Sequence, residues 1–224
     1  MTDVTVRSRL SRVSLPTYSL SEELINAISH GIGAALGIAG LILCVIKSVS
    51  EADPWGIVAG SVFGASLILL YAMSSLYHSI RPNNVKRAFR VVDHCTIFVL
   101  IAGTYTPFTL MTLRANVGWP LFGIIWGAAA IGIVLNAIDV EKFKKVSMAC
   151  YLAMGWCILL AFRPLAQAME PVGLQLLMWG GIAYTIGAVI YGIGSKVKYM
   201  HSIWHFFVLA GSILHFFCIY LYVL

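Results

Sequence analysis

Near the end of the chain stands HSIWH, with His201 and His205 four residues apart in an otherwise apolar run. On a helix, positions i and i+4 share a face with Cβ atoms about 6 Å apart. Two imidazoles so placed offer two nitrogens to one point. A third from another segment would complete the ligand set of a catalytic zinc, three protein ligands with the fourth position open to water. His78 in SSLYH is the candidate third, and Ser74 precedes it by one turn on the same face. Zinc in such a cradle turns water into a nucleophile near neutral pH. HSIWH lacks the glutamate of the soluble HExxH protease motif, so a base must come from elsewhere. Asp93, in VDHCTIF, is the acidic group best placed to hold that water. Glu23, Asn26 and His30, spaced i, i+3, i+7, form a further stripe on one helix face.

The elements that must position these groups follow from hydropathy. The 224 residues are 60% hydrophobic and 11% charged, where soluble domains carry about 25% charged residues. The apolar residues fall into long runs at 24–46, 55–77, 92–113, 118–138, 146–162, 172–193 and 203–224. Each approaches the ~20 residues that carry a helix across ~30 Å of hydrocarbon. The pattern predicts an all-α integral membrane protein, a seven-transmembrane helix bundle. Residues 1–18 read as a flexible cytoplasmic tail, and 19–224 as one domain. Residues 1–20 are polar and basic, unlike a signal peptide. Ser19 and Glu22 fit a capping box at the first helix. Pro107 predicts a kink in the third.

Lysine and arginine set the orientation. The tail (Arg7, Arg9, Arg12) and the loops after spans 2, 4 and 6 (Arg81, Lys86, Arg87, Arg90; Lys142, Lys144, Lys145; Lys196, Lys198) hold twelve. The opposite side holds only Lys47, Arg114 and Arg163. The N-terminus is therefore expected in the cytoplasm and the C-terminus outside. The net charge of +6 is accounted for by this bias, so no nucleic-acid partner is expected. Five scattered cysteines (Cys44, Cys95, Cys150, Cys157, Cys218) show no metal or redox spacing and read as small apolar filler. Gly33/Gly37, Gly60/Gly64 and Gly123/Gly127 are expected to let helices of the same chain pack closely.

With that topology, His78, Asp93, His201, His205 and the Glu23–His30 stripe all fall at the cytoplasmic ends of their helices. Ionisable groups at membrane depth point to function. Bland alternatives stay open: histidines at the interface, an Asp93 that caps its helix or pairs with Arg90. His94 lies about 100° around the helix from Asp93 and reads as a supporting group. His215, about 15 Å deeper than His205, reads as a hydrogen-bonded buried histidine.

Six segments in order, EELINAISHGIG, SSLYHS, VDHCTIF, AGTYTPF, YLAMGW and HSIWHFFVLAGSILHF, resemble the haemolysin III branch of the progestin and adipoQ receptor (PAQR) family. Within it the likeness is greatest to bacterial membrane-homeostasis members, from about Tyr18 to the end of the chain. The resemblance implies seven helices with the N-terminus inside and a zinc ion near the cytoplasmic face. Its ligands carry over to His78, His201 and His205, a water-mediated contact to Asp93, and a neighbouring serine to Ser74. Glu23, Asn26 and His30 match the family's first motif. Relatives among the adiponectin receptors are associated with ceramidase activity, so a lipid amide or ester is the implied substrate and membrane lipids the implied partners. The long extramembrane region of the eukaryotic receptors has no counterpart here, which speaks against hormone binding. Two other functions compete: a sensor with zinc as a structural clamp, and a proton-coupled transporter using Glu23, His30 and Asp93. The second is disfavoured because these groups cluster at one face and, His215 apart, leave the outer half of the bundle without a polar path.

Overall fold

The computed structural model describes residues 10–193 and 197–224; Arg7, Arg9 and Lys196 lie outside them. All regular structure among the described residues is helical: α1 (Leu20–Ser50), α2 (Pro54–Ser79), α3 (Asn84–Pro107, extended by a π-helical turn Phe108–Thr112), α4 (Gly118–Trp156), a 3-10 turn (Cys157–Ala161), α5 (Phe162–Ala168), α6 (Pro171–Ile193) and α7 (Met200–Tyr222). Among the described residues, six continuous helical stretches are long and apolar enough to cross a membrane. The expected all-helical membrane architecture is present.

The stretch Gly118–Ala168 is 51 residues long, ~77 Å if straight and more than twice the hydrocarbon thickness. It is not straight. Asp139 has extended backbone angles, φ −162 and ψ 97. Beyond it, Ser147 Oγ donates to Asn136 Oδ1 at 2.6 Å, and Asn136 Nδ2 is 3.2 Å from the Tyr151 hydroxyl. A straight helix would hold those pairs ~16 and ~22 Å apart. The arms 118–138 and 140–156 therefore fold back on one another. Asp139 caps the second arm, its Oδ1 accepting from the backbone N–H of Glu141 and Lys142. The expected loop around Lys142, Lys144 and Lys145 thus shrinks to one residue, and the lysines are helical.

The N-terminal capping box is as expected: Ser19 N–H donates to Glu22 Oε2 at 2.9 Å while Glu22 N–H faces Ser19 Oγ at 3.4 Å. Helix α3 starts eight residues before the expected 92, because Asn83 Oδ1 accepts from Lys86 N–H and caps it. Lys86 and Arg90, read as loop charges, are consequently buried helix residues. After Pro107, which supplies no N–H, the backbone widens, with Leu113 N–H reaching back five residues to Phe108 O.

Helix α1 is inside-out by soluble standards. Leu24, Ile28, Ile32 and Leu36 face outward at steps of four, while Asn26, His30, Gly33 and Gly37 are buried. Lipid is the solvent for one face, and the other face brings its polar groups to partners inside the bundle. A Cβ on Gly33 would lie 2.6 Å from the Tyr71 ring, and one on Gly64 2.7 Å from Leu41 Cα. Those glycines let α1 and α2 approach closely, as expected. Gly123 and Gly127 do not behave so: nothing lies within 4 Å of either added Cβ. Their assignment to packing within the chain is corrected, since that face of α4 is turned away from its neighbours.

Contacts at the helix ends give the alternation. The starts of α1, α3 and α7, the end of α2 and the Asp139 turn meet at one end, through Glu22–Tyr199, Glu23–His78, Glu23–Lys86 and Arg90–Glu141. At the other, Lys47 donates to Tyr220 O and Arg114 stacks over Trp55. Gly64→Ala is expected to destabilise by about 1–3 kcal/mol, because the obstacle is Leu41 backbone. Gly123→Ala and Gly127→Ala should stay within about 0.5 kcal/mol. Thermal unfolding in detergent measures all three.

Candidate metal centre

Helix α7 opens at Tyr199, a left-handed residue (φ 65) whose N–H donates to Glu22 Oε1 at 2.8 Å. The capping glutamate of α1 thereby sets where α7 begins. In the first turns of α7, His201 and His205 share a face, their Nε2 atoms 3.2 Å apart. His78, at the end of α2, brings its own Nε2 to 3.3 Å from that of His201. The three rings offer ligand atoms that all lie within 4.8 Å of one another.

The donor set fits a metal. A neutral imidazole nitrogen is either a donor or an acceptor, so a single N–H on His201 Nε2 could satisfy only one of its two neighbours. A cation among the three lone pairs satisfies all of them, and three imidazoles suit zinc. Among the described residues no fourth protein ligand joins the set.

The surroundings hold each ring. His205, with no exposed surface, is stacked by His30 at 3.6 Å between centroids and 13° between planes. His30 in turn meets the edge of Tyr71, whose hydroxyl is 2.6 Å from Ser212 Oγ. Tyr18 covers His201 at 4.9 Å and 20°. The segment before Tyr18 lies against the same end of the bundle: Arg87 donates to Val13 O, and Arg90 to Ser14 and Glu141.

Asp93 is outside the three-histidine set. It is buried, and it lines the same cavity as Ser74. It does not cap α3, which starts nine residues earlier at Asn84, and Arg90 is engaged with Ser14 and Glu141. Glu23 lies against His78 and Lys86, and Asn26 Nδ2 is 3.5 Å from His78 Nδ1. His94 lines a cavity near Asp93. His215 donates from Nε2 to Leu177 O at 3.1 Å, far along α7 from the cluster. Cys95 Sγ faces Ile133 O. Lys86 and Tyr18 escape the sequence reading: one counted only as a positive loop charge, the other as part of a tail.

A cavity of about 160 Å³ begins at His30, Ser74 and Asp93 and runs between α3, α4, α6 and α7 to Leu177 and His215. Its wall is dominated by aliphatic and aromatic side chains.

With this geometry in hand, the sequence profile described as Haemolysin-III related matches residues 18–216. The chain belongs to that family. The matched stretch starts at Tyr18 and contains every residue of the centre. Hemolysin-3 of Bacillus cereus is 45% identical over 208 residues, 93% of this chain and 94% of the relative. The Hemolysin-3 homolog of Bacillus subtilis (strain 168) is 42% identical over 205 residues, 92% and 96%. The human monocyte to macrophage differentiation factor is 27% identical over 210 residues, 90% and 84%. The PAQR resemblance holds, and the chain is a multi-pass protein of the bacterial plasma membrane.

Purified protein is expected to carry about one zinc per chain, as a single three-histidine site would hold. His205→Ala and His201→Ala should lose it while remaining folded. Metal analysis by plasma mass spectrometry, alongside a melting curve, checks both halves of the statement.

Proposed function

We propose that this haemolysin III protein is a zinc-dependent hydrolase of a lipid amide or ester, serving membrane lipid homeostasis. One observation carries the reading: an apolar cavity is lined at one end by Ser74, Asp93 and His30, and the His30 ring stacks on His205 of the three converging imidazoles. Counting the arms of α4 separately gives seven crossings. The lysine and arginine bias then sets the N-terminus and the metal centre at the cytoplasmic face.

In this reading His78, His201 and His205 hold the ion. Zinc bound there supplies a Lewis acid that makes water nucleophilic near neutral pH. The Asp93 carboxylate takes the proton that the water loses as its oxygen bonds to the acyl carbon. It returns that proton to the departing nitrogen or oxygen as the acyl bond breaks, so the products are a fatty acid and an amine or alcohol. Ser74, which lines the same cavity as Asp93, supports the site or the oxyanion. The cavity takes the acyl chain and excludes bulk water from the reacting end. A purely structural metal clamp calls for a closed set of four protein ligands, and Asp93 outside the set of three argues for the open site instead.

Zinc-loaded protein incubated with short-chain ceramides and acyl esters should release fatty acid. Asp93→Asn should lower the turnover ~10²-fold or more with zinc content unchanged. Absence of fatty acid from every lipid, together with an Asp93→Asn protein that behaves as wild type in cells, would sink the hydrolase reading.

A further inference from the structure

Two groups at this centre take no part in the reading above, the Glu23 carboxylate and the Lys86 ammonium. Lys86 is 2% exposed, a rare state for a lysine. Its Nζ is 2.6 Å from Glu23 Oε1 and 5.0 Å from the Tyr77 ring centroid. The other carboxylate oxygen, Oε2, is 2.7 Å from His78 Nδ1. The three side chains come from the starts of α1 and α3 and the end of α2.

An ionised carboxylate only accepts hydrogen bonds. The proton of a neutral His78 ring is therefore on Nδ1, and Nε2 keeps its lone pair. Nε2 is the atom that faces His201 Nε2 at 3.3 Å. The Asn26 amide, 3.5 Å from the same Nδ1, is a second acceptor when its oxygen is turned that way. That would also answer Asn26 Oδ1, which is buried without a partner. The other two rings are held differently. His201 and His205 have stacked neighbours, Tyr18 and His30, and no carboxylate within salt-bridge distance among the described residues. A buried ion pair alone is a weak source of stability. A carboxylate held on one side by a lysine and aimed on the other at a ligand histidine has a purpose that a simple ion pair lacks.

We propose that Glu23 is the positioning residue of the metal centre, fixing the His78 ring with Nε2 toward the ion, and that Lys86 holds Glu23 for that task. The inference rests on the zinc reading. Its scale follows from metal sites generally, where losing the carboxylate behind a ligand histidine lowers metal affinity ~10–100-fold.

The test uses full-length protein in detergent, zinc competition against a chromogenic chelator, and the visible spectrum of the cobalt(II)-substituted protein. Glu23→Leu should weaken zinc by ~10–100-fold and alter the cobalt spectrum. Glu23→Gln, whose amide oxygen still accepts from Nδ1, should weaken it less. Lys86→Met should fall between wild type and Glu23→Leu. Wild-type affinity and an unchanged cobalt spectrum in Glu23→Leu overturn the proposal, whatever its melting temperature. If Glu23→Leu does not fold, wild-type affinity in both Glu23→Gln and Lys86→Met has the same force. A wild-type protein that binds no zinc fails the metal reading itself. A zinc-binding wild type with indifferent Glu23 variants fails this inference alone.

Discussion

Hydrocarbon offers no hydrogen-bonding partner, so every polar atom that this bundle turns inward must be answered by the bundle itself. At one end that constraint gathers Glu22, Glu23, Lys86, Arg90, Glu141, Tyr199 and the three clustered histidines His78, His201 and His205. The set joins α1, α2, α3, the Asp139 turn of α4 and the start of α7. None of these helices could shift by a turn without stranding a charge. The geometry of the histidine cluster is thus a consequence of how the helix ends are tied.

The same constraint explains features remote from the centre. Where the second arm of α4 passes into the 3-10 turn, backbone groups lose their helical partners. The Tyr105 hydroxyl answers them, donating toward Met154 O and Gly155 O and accepting from Ile158 N–H at 2.7 Å. Two of the segments that carried the family resemblance, AGTYTPF and YLAMGW, therefore meet in space for a backbone reason. Their residues need no contact with a ligand to matter.

Much of the architecture was legible in the sequence because its signals are local or periodic. Apolar runs set the spans, Ser19 with Glu22 set the first cap, and the four-residue spacing of His201 and His205 set a shared face. What was missed depends on long-range partners. Lys86 looked like one more positive loop charge, since nothing in RPNNVKR reveals that Glu23, 63 residues away, receives it. Tyr18 looked like the end of a tail because its partner His201 lies at the other end of the chain. Asp139 was lost within a presumed loop, although a single extended residue with a capping side chain suffices to reverse the helix. Gly123 and Gly127 match Gly60 and Gly64 in spacing, and only the positions of neighbouring helices separate a packed glycine pair from an open one.

The cavity gives the polar cluster its meaning. Voids in a packed interior are unfavourable, at ~24 cal/mol per Å³ in soluble cores, which puts a 160 Å³ space at roughly 4 kcal/mol if it were empty. Water is a poor occupant of an apolar space, and engineered cavities of similar size stay dry and take apolar guests. In a bilayer the abundant apolar guest is an acyl chain. The wall keeps few polar demands of its own: Thr104, Tyr105, Tyr184 and Thr185 all find partners within the protein. An acyl chain seated there would bring its polar end toward Ser74 and Asp93, where the wall first changes character. For the proposed lipid substrate, the cavity and the histidine cluster would be two halves of one recognition problem, an apolar tail answered by dispersion and a polar head answered by charge.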